Sequence, residues 1–406
     1  MRPDPRPSCD PSHPWAAAPM PPLRSGPPYL MWDAIVREPD LAGRLATHPE
    51  VADAAAAMAS LLRAGAASGW PPAVVGCGTS EHAAMAAAAI WREAWSRAGV
   101  PGLGPVARQA LEAALDPWPG IVVGISHEGA SRATIDAMIA ARDAGGRVGL
   151  ITAGANSPAA AVAEACLCTT EVDLSWCHTI AYSGAIVAAA LVADRLAERQ
   201  TAPGALRAPL DAGIAAADAA AQLAHELAAS RTLVVVGSGT DRIAGREMTL
   251  KIEEAAYVPT AYRDLETMLH GHIPALDVGT GLVLVLSDRE RLDVRVARAR
   301  QVLAAVARVG VHPGAILTAT SAAGIPAELT PAGRVVVPDP AGLPGPVASL
   351  LATAIPLQLT TYHLALALGT NPDALRREFT PYRAAADEAE ADRPAGDGGG
   401  SATGDA

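Results

Sequence analysis

The sequence predicts an α/β protein made of two doubly wound lobes, each a parallel sheet flanked by helices. Three observations lead there: short β-branched runs alternate with helix-length Ala-rich stretches, aromatic residues are scarce, and one half of the chain echoes the other. Strands that alternate with helices in this way form parallel sheets covered on both faces. Half of the 406 residues are apolar and 3% are aromatic, with Phe379 the single phenylalanine. The cores must therefore be built from Ala, Val, Leu and Ile. The length suits two ordinary domains, each with its own buried interior.

Taken in order, residues 1–28 read as a mobile tail because prolines recur at Pro3, Pro5, Pro7, Pro11 and Pro14. A first lobe follows over 29–205 and a second over 206–383, joined near Thr201–Pro209. Residues 384–406, rich in Ala, Asp, Glu and Gly, read as a disordered acidic tail. Strands are expected at 73–77, 121–126, 147–152, 233–237, 282–287, 315–319 and 334–338. Helices are expected at 131–144, 178–199, 241–257, 290–308 and 345–368.

The internal repeat carries the division into lobes. Val74-Val75-Gly76-Cys77-Gly78-Thr79 returns as Val235-Val236-Gly237-Ser238-Gly239-Thr240, 161 residues later. At the same offset Ile125-Ser126 meets Leu286-Ser287. Leu150-Ile151-Thr152-Ala153 meets Ile316-Leu317-Thr318-Ala319 at an offset of 166, which implies a five-residue loop insertion. The matches fall on Gly, Ser and Thr, so the Ala-rich composition does not explain them.

Composition narrows the partners. The net charge of −11 is spread along the chain without a basic stripe, which argues against nucleic acid. Five cysteines (Cys9, Cys77, Cys166, Cys168, Cys177) form neither a disulfide framework nor a zinc spacing, which points to a reducing cytoplasm. Cys166 and Cys168 read as small buried hydrophobes. No run reaches the about 18 to 20 uninterrupted apolar residues of a membrane span, and the N-terminus lacks the order of a signal peptide.

Each half opens with a strand running into Gly-x-Gly-Thr and then a helix. Glycines let the backbone approach a ligand, and the free N–H groups of a helix start favour an anion. The dinucleotide fingerprint needs a third glycine where Glu81 and Arg242 stand, so a nicotinamide-dependent oxidoreductase is a distant alternative. The next strand leads into Ser126-His127-Glu128-Gly129-Ala130-Ser131-Arg132-Ala133-Thr134, where several hydroxyls could meet a phosphate at a helix start. Plain N-capping accounts for one of them. Glu128 opposes a phosphate, since its carboxylate repels a dianion.

Arginine outnumbers lysine 30 to 1, and the one lysine is Lys251. A single retained lysine suggests a compact donor or an amine whose pKa can be moved. Glu247, Lys251 and Glu254 share one helical face, with Glu253 beside them. That face reads either as a solvated ion-pair row or as a carboxylate base beside a cation in a cleft. Shortly after, His270 has the pKa of a proton shuttle. His270 and His272 alone make a poor metal site, and no metal or cofactor is expected.

Four ordered segments then resemble the SIS-domain sugar isomerases. They are Gly76-Cys77-Gly78-Thr79-Ser80, Ile125-Ser126-His127-Glu128-Gly129, the run Glu247 to Tyr257 containing Lys251 and Glu254, and Leu269-His270-Gly271. The likeness covers roughly 30 to 380, including Tyr362-His363 and Gly369-Thr370-Asn371-Pro372-Asp373. It is strongest to the isomerase half of glutamine–fructose-6-phosphate aminotransferases and to fructosamine-6-phosphate deglycases. The resemblance implies a phosphate cradle from Ser80, Ser126 and Ser131 with the backbone around Thr79; Gly78, His127 and Glu128, in the same two loops, are further candidate ligand-binding residues. It implies Glu254 as the carboxylate that moves a proton between C1 and C2 through an enediolate, with Lys251 one helical turn before it. It implies His270 as the ring-opening acid/base, supplied across a homodimer.

Departures from the family pattern refine this. No glutaminase segment precedes the first lobe and position 2 is Arg2, so glutamine-dependent amide transfer is not expected. The family's C-terminal lysine has no counterpart in Arg376-Arg377-Glu378-Phe379-Thr380. His127-Glu128 replaces Gln-Ser, His272 replaces the proline that usually follows His-Gly, and Ser175-Trp176-Cys177-His178 replaces a Ser-Thr-Lys stretch. The expectation is a metal-free aldose–ketose isomerase or deglycase acting on a sugar or sugar phosphate. The alternative is a non-catalytic sugar-phosphate sensor on the same fold.

Overall fold

The computed structural model describes Pro22 and residues 24–390. Among the described residues, ten strands form two five-stranded sheets. The first comprises β1 (Ala73–Gly76), β2 (Val106–Gln109), β3 (Ile121–Ile125), β4 (Arg147–Thr152) and β5 (Ala165–Cys168), ordered β2-β1-β3-β4-β5. The second comprises β6 (Thr232–Gly237), β7 (Thr260–Asp264), β8 (Thr280–Leu286), β9 (His312–Thr318) and β10 (Arg334–Val337), ordered β10-β9-β8-β6-β7. Every pairing is parallel. Read from the edge strand that follows the Gly-x-Gly helix, the two sheets have one topology. The centres β3 and β8 are buried at every position, as strands covered on both faces must be.

Three strands, β2, β5 and β7, go beyond the sequence expectation. The edges β2 and β7 are half-buried throughout or nearly so. Their sequences, Val-Ala-Arg-Gln and Thr-Ala-Tyr-Arg-Asp, carry no apolar run to mark them, because one side of an edge strand faces solvent. In β5 the buried residues are Ala165 and Leu167. Cys166 and Cys168 point to the half-buried face, which corrects their reading as core hydrophobes.

The lobes share a core. Val74, Trp91, Ile180, Leu233, Ile252, Leu350 and Leu359 belong to one buried cluster that runs from the first sheet to the second. Each sheet covers its other face separately: Val75, Val122 and Met138 on the first, Leu282, Leu303 and Leu317 on the second. Helix Gly345–Leu368 packs against helices Asp241–Ala256, Ala217–Leu227 and Pro203–Ala215. By length and composition it is apolar enough to cross a membrane, yet 83% of its most apolar window is buried inside the protein. A helix apolar all round is what a shared interior demands.

At the junction near Thr201–Pro209, Pro203–Ala215 is a helix packed on Glu38–Thr47 and Gly345–Leu368. At the C-terminal end, helix Thr380–Glu390 includes the first seven residues assigned to the acidic tail; the rest of that tail, and most of the N-terminal one, lie outside the described residues. Before that helix, buried Asp373 accepts hydrogen bonds from Leu30 N at 2.8 Å and Met31 N at 2.9 Å. The last part of the second lobe thereby caps the first described helix of the chain.

Candidate active site at the seam of the lobes

The first lobe builds a small polar pocket where β1 and β3 end. A side chain at Gly76 would meet Ser80 O at 2.4 Å, so only glycine lets the strand turn this tightly into helix Thr79–Arg97. Gly78 has φ +56°, a value natural to glycine. The pocket holds about 10 Å³ and is lined by Thr79, Ser80, Ser126, His127 and Thr169 among alanines and isoleucines. That space suits about one water molecule. Ser126 is buried and donates to Ser131 Oγ at 3.2 Å. Thus Thr79, Ser80, Ser126, His127 and Ser131 come together as the sequence suggests.

The loop after β3 is held by its neighbours. Ala153 N and Thr152 Oγ1 donate to His127 O at 2.7 and 3.0 Å, and Ala159 N donates to Gly129 O at 3.0 Å. His127 Nε2 accepts from Asp173 N at 2.7 Å, and its ring lies 4.7 Å from that of His178. Burial pushes the His127 pKa down to about 4 and that of His178 well below its usual range. Both are neutral imidazoles at physiological pH. Glu128 is half-buried, its pKa is raised by burial, and its carboxylate has no hydrogen bond or ion pair.

The second Gly-x-Gly-Thr behaves differently, which corrects the expectation of an anion site in each half. Asp241 stands where the repeat places Ser80, and Asp288 stands where it places His127. Asp288 Oδ2 accepts from Thr240 N at 2.7 Å. Asp241 is fully buried and accepts from Ser287 N and Asp288 N at 2.8 and 2.9 Å. Two carboxylates of the chain itself already occupy the donors that a ligand anion would use. A cleft of about 1120 Å³ opens outside this loop, bordered by Arg92 and Glu93 of the first lobe and by Ser238, Thr240 and Arg295 of the second.

The helix after the second loop carries the charged face into the seam. Lys251 is fully buried, which excludes the solvated row. Its Nζ pairs with Glu254 Oε2 and lies 3.9 Å from Glu247 Oε1. Burial alone disfavours the ammonium, but Glu254, helped by Cys177 and Glu247, outweighs it and holds the pKa above the usual lysine range. Lys251 is a fixed cation and not a lowered-pKa amine. Glu254 keeps 22% of its side chain exposed. Burial raises its pKa and Lys251 opposes the rise, so it is a reachable carboxylate with heightened proton affinity. Glu253, the neighbour on the other face, is exposed and accepts from Thr260 N.

Residues from the first lobe complete this cluster: Thr79, expected only at the phosphate cradle, and His82, Cys177, Glu38 and Tyr182, to which the sequence reading gave no role here. Thr79 Oγ1 donates to Glu247 Oε1 at 3.2 Å, and His82 Nδ1 meets Glu247 Oε2 at 2.7 Å. Cys177 is fully buried beside Lys251 and Glu254. Glu38 is buried, accepts from Ser183 Oγ at 2.5 Å, and has its pKa pushed up to about 8 by burial. Tyr182 is buried between the fields of Glu247 and Glu38. No local pattern marks these residues: Glu38 reads as an ordinary acidic helix start, and His82 as one polar residue in an Ala-rich helix.

His270 stands elsewhere. It is 70% exposed in the kinked turn Met268–His272, where His270 and Gly271 leave helical geometry, and pairs with Glu266 at 2.6 Å. No contact within the chain joins it to Lys251 or Glu254. His272 accepts from Arg263 Nε at 3.1 Å. Among the described residues no group of three His, Cys, Asp or Glu side chains converges as a metal site.

Comparison with known proteins agrees with this architecture. Residues 226–330 match the SIS domain family. A glutamine–fructose-6-phosphate aminotransferase of Gloeobacter violaceus is 26% identical over 322 residues, covering 75% of this chain and 50% of that protein. One from Bradyrhizobium diazoefficiens is 30% identical over 156 residues, covering 38% of this chain and 24% of its own. The chain thus spans between about a quarter and a half of the curated relatives it matches. Among solved structures, the C-terminal domain of the Francisella tularensis aminotransferase superposes with a TM-score of 0.72 at 17% identity, over 87% of this chain and 99% of that one. The tagatose-6-phosphate ketose/aldose isomerase of Escherichia coli gives 0.68 at 17% identity, over 87% and 97%. The likeness in sequence thus includes a SIS domain match over residues 226–330, and the likeness in fold to these solved structures runs through both lobes.

Proposed function

We propose that the chain is an aldose–ketose isomerase, or a deglycase of similar chemistry, that works on a sugar derivative through an enediolate. The observation that carries this reading is the Lys251–Glu254 pair. A fully buried cation touches a carboxylate that solvent can still reach, at the seam beside the first-lobe pocket. In the proposed reaction Glu254 takes the proton from one of the two carbons flanking the carbonyl shift and returns it to the other. Lys251 stabilises the negative charge that develops on oxygen. His270 would open the sugar ring, and a second copy of the chain would have to bring it to the site, so we also propose a homodimer.

The test is NMR of aldoses and ketoses, free and 6-phosphorylated, in deuterated water. Wild type should place deuterium at C1 or C2, and Glu254→Gln should slow that exchange by about 10²- to 10⁴-fold. A protein that binds the sugar equally well in both forms and exchanges no proton would be a sensor.

A further inference from the structure

We infer that His127 is a fixed, uncharged hydrogen-bond donor, through Nδ1–H, to one acceptor oxygen of the ligand in the first-lobe pocket, and that Asp173 sets this sense. The inference rests on the reading of the seam as a sugar site and deepens it by naming how one end of the sugar is held.

The lock is geometric. Asp173 N donates to His127 Nε2 at 2.7 Å, so Nε2 offers a lone pair and the ring proton sits on Nδ1. A second proton, on Nε2, would face the Asp173 N–H head-on. Burial acts in the same direction and pushes the pKa down to about 4. The Asp173 N–H is itself held in place. The carboxylate of Asp173 is buried and accepts from Ser175 N at 3.2 Å and Thr179 N at 2.6 Å. Thr179 precedes helix Ile180–Leu196, whose Ala181 and Ala185 line the same pocket. One turn thus fixes a pocket wall and the tautomer of the imidazole beside it. The His178 ring packs against that imidazole at 4.7 Å.

Nδ1–H is what the ring has left to offer. His127 lines the pocket and is half-buried. Among the described residues Nδ1 has no hydrogen-bond partner, and it is not sealed from open space. The hydroxyls of Thr79 and Ser126 already donate, each at 3.2 Å, to Glu247 Oε1 and Ser131 Oγ. Those of Ser80 and Thr169 can rotate to give or to take. His127 can only give. The space of about 10 Å³ suits one water, and therefore one ligand oxygen. No Lys or Arg side chain lines it, so the oxygen is met without a charge. A sugar hydroxyl, a carbonyl and a phosphoryl group share this acceptor chemistry. Thr79 and Glu247 join the pocket to Lys251, so His127 anchors the ligand while the protons move at Glu254.

The experiment is nitrogen NMR of the full chain carrying isotope-labelled histidines, with His127 assigned by the signals that His127→Gln removes. The free protein should show a protonated Nδ1 and a bare Nε2, unchanged from about pH 5.5 to about pH 8 because the ring titrates below that range. Asp173→Ala frees the turn and should let the proton spread to Nε2. Fructose should shift Nδ1–H if the anchor takes a hydroxyl or carbonyl oxygen; inorganic phosphate should shift it if the anchor takes a phosphoryl oxygen. His127→Phe should bind the effective probe about five- to tenfold more weakly, and His127→Gln, which keeps an amide donor, should recover most of that loss. A proton on Nε2 in the free protein, an Nδ1–H signal that neither probe nor fructose 6-phosphate moves, or unweakened binding by His127→Phe overturns the inference. An unchanged tautomer in Asp173→Ala overturns the part assigned to Asp173. Deuterium exchange scores the isomerase reading separately: if exchange fails while the Nδ1–H shift persists, also in Glu254→Gln, that reading falls and the anchor stands.

Discussion

His82 of the first lobe and Glu247 of the second meet at 2.7 Å, Nδ1 to Oε2, across the seam between the lobes. The same carboxylate takes the Thr79 hydroxyl and faces Lys251, so one side chain ties the first-lobe pocket to the charged pair. Glu247 and Lys251 are both essentially fully buried. Removing a member of such a group strands the charge that remains.

Glu247→Ala should therefore destabilise the protein by about 3 to 5 kcal/mol, and Glu247→Gln by less, because the amide keeps partners for Thr79 and His82. Urea denaturation of the full chain measures both. A loss below about 1 kcal/mol for Glu247→Ala would mean that apolar packing alone holds the seam.

Gly129→Ala should be among the most damaging single-methyl changes in the first lobe. It combines a left-handed backbone with a Cβ placed 1.9 Å from Ser157 Oγ and 2.5 Å from Ser157 Cβ. Left-handed backbone costs a non-glycine residue roughly 1 to 2 kcal/mol, and the overlap adds to it. Adding Ser157→Gly should recover the overlap part and leave the backbone part. Thermal midpoints of the single and double variants test this, and a double variant no better than the single would sink the clash explanation.

Glu38 gives the stability a pH slope. Burial raises its pKa from the ordinary carboxylate value of 4.5 to about 8 in the fold. Between those values the folded chain holds a proton that the unfolded chain releases. The stabilisation is complete below pH 4.5 and declines as pH rises toward 8, by roughly 1 kcal/mol per pH unit. Glu38→Gln is permanently neutral, so its stability relative to wild type should improve steadily from pH 5 to pH 8. Parallel denaturation curves that keep a constant offset across that range would refute the assignment.

Much of the fold was legible along the chain. Fully buried strands such as β3 and β8 announce themselves as β-branched and Leu-rich runs. The repeated Gly-x-Gly-Thr marks equivalent places in two sheets of identical order. The edge strands β2 and β7 stayed hidden because half-exposed strands need no apolar signature. Helical spacing also placed Glu247, Lys251 and Glu254 on one face, yet left open whether that face met water or protein.

What the sequence by itself determined was periodicity: which segments are helix or strand, where the glycines bend them, and which side chains share a face. Tertiary structure decided the surroundings. It buried Lys251, brought His82 and Thr79 to Glu247 from about 165 residues away in the chain, and filled the second loop with Asp241 and Asp288. It also left His270 on an exposed edge. Spacing along a helix is a local property of 1.5 Å per residue. Burial, and with it the charge state of every group at the seam, depends on which distant surface packs against that helix.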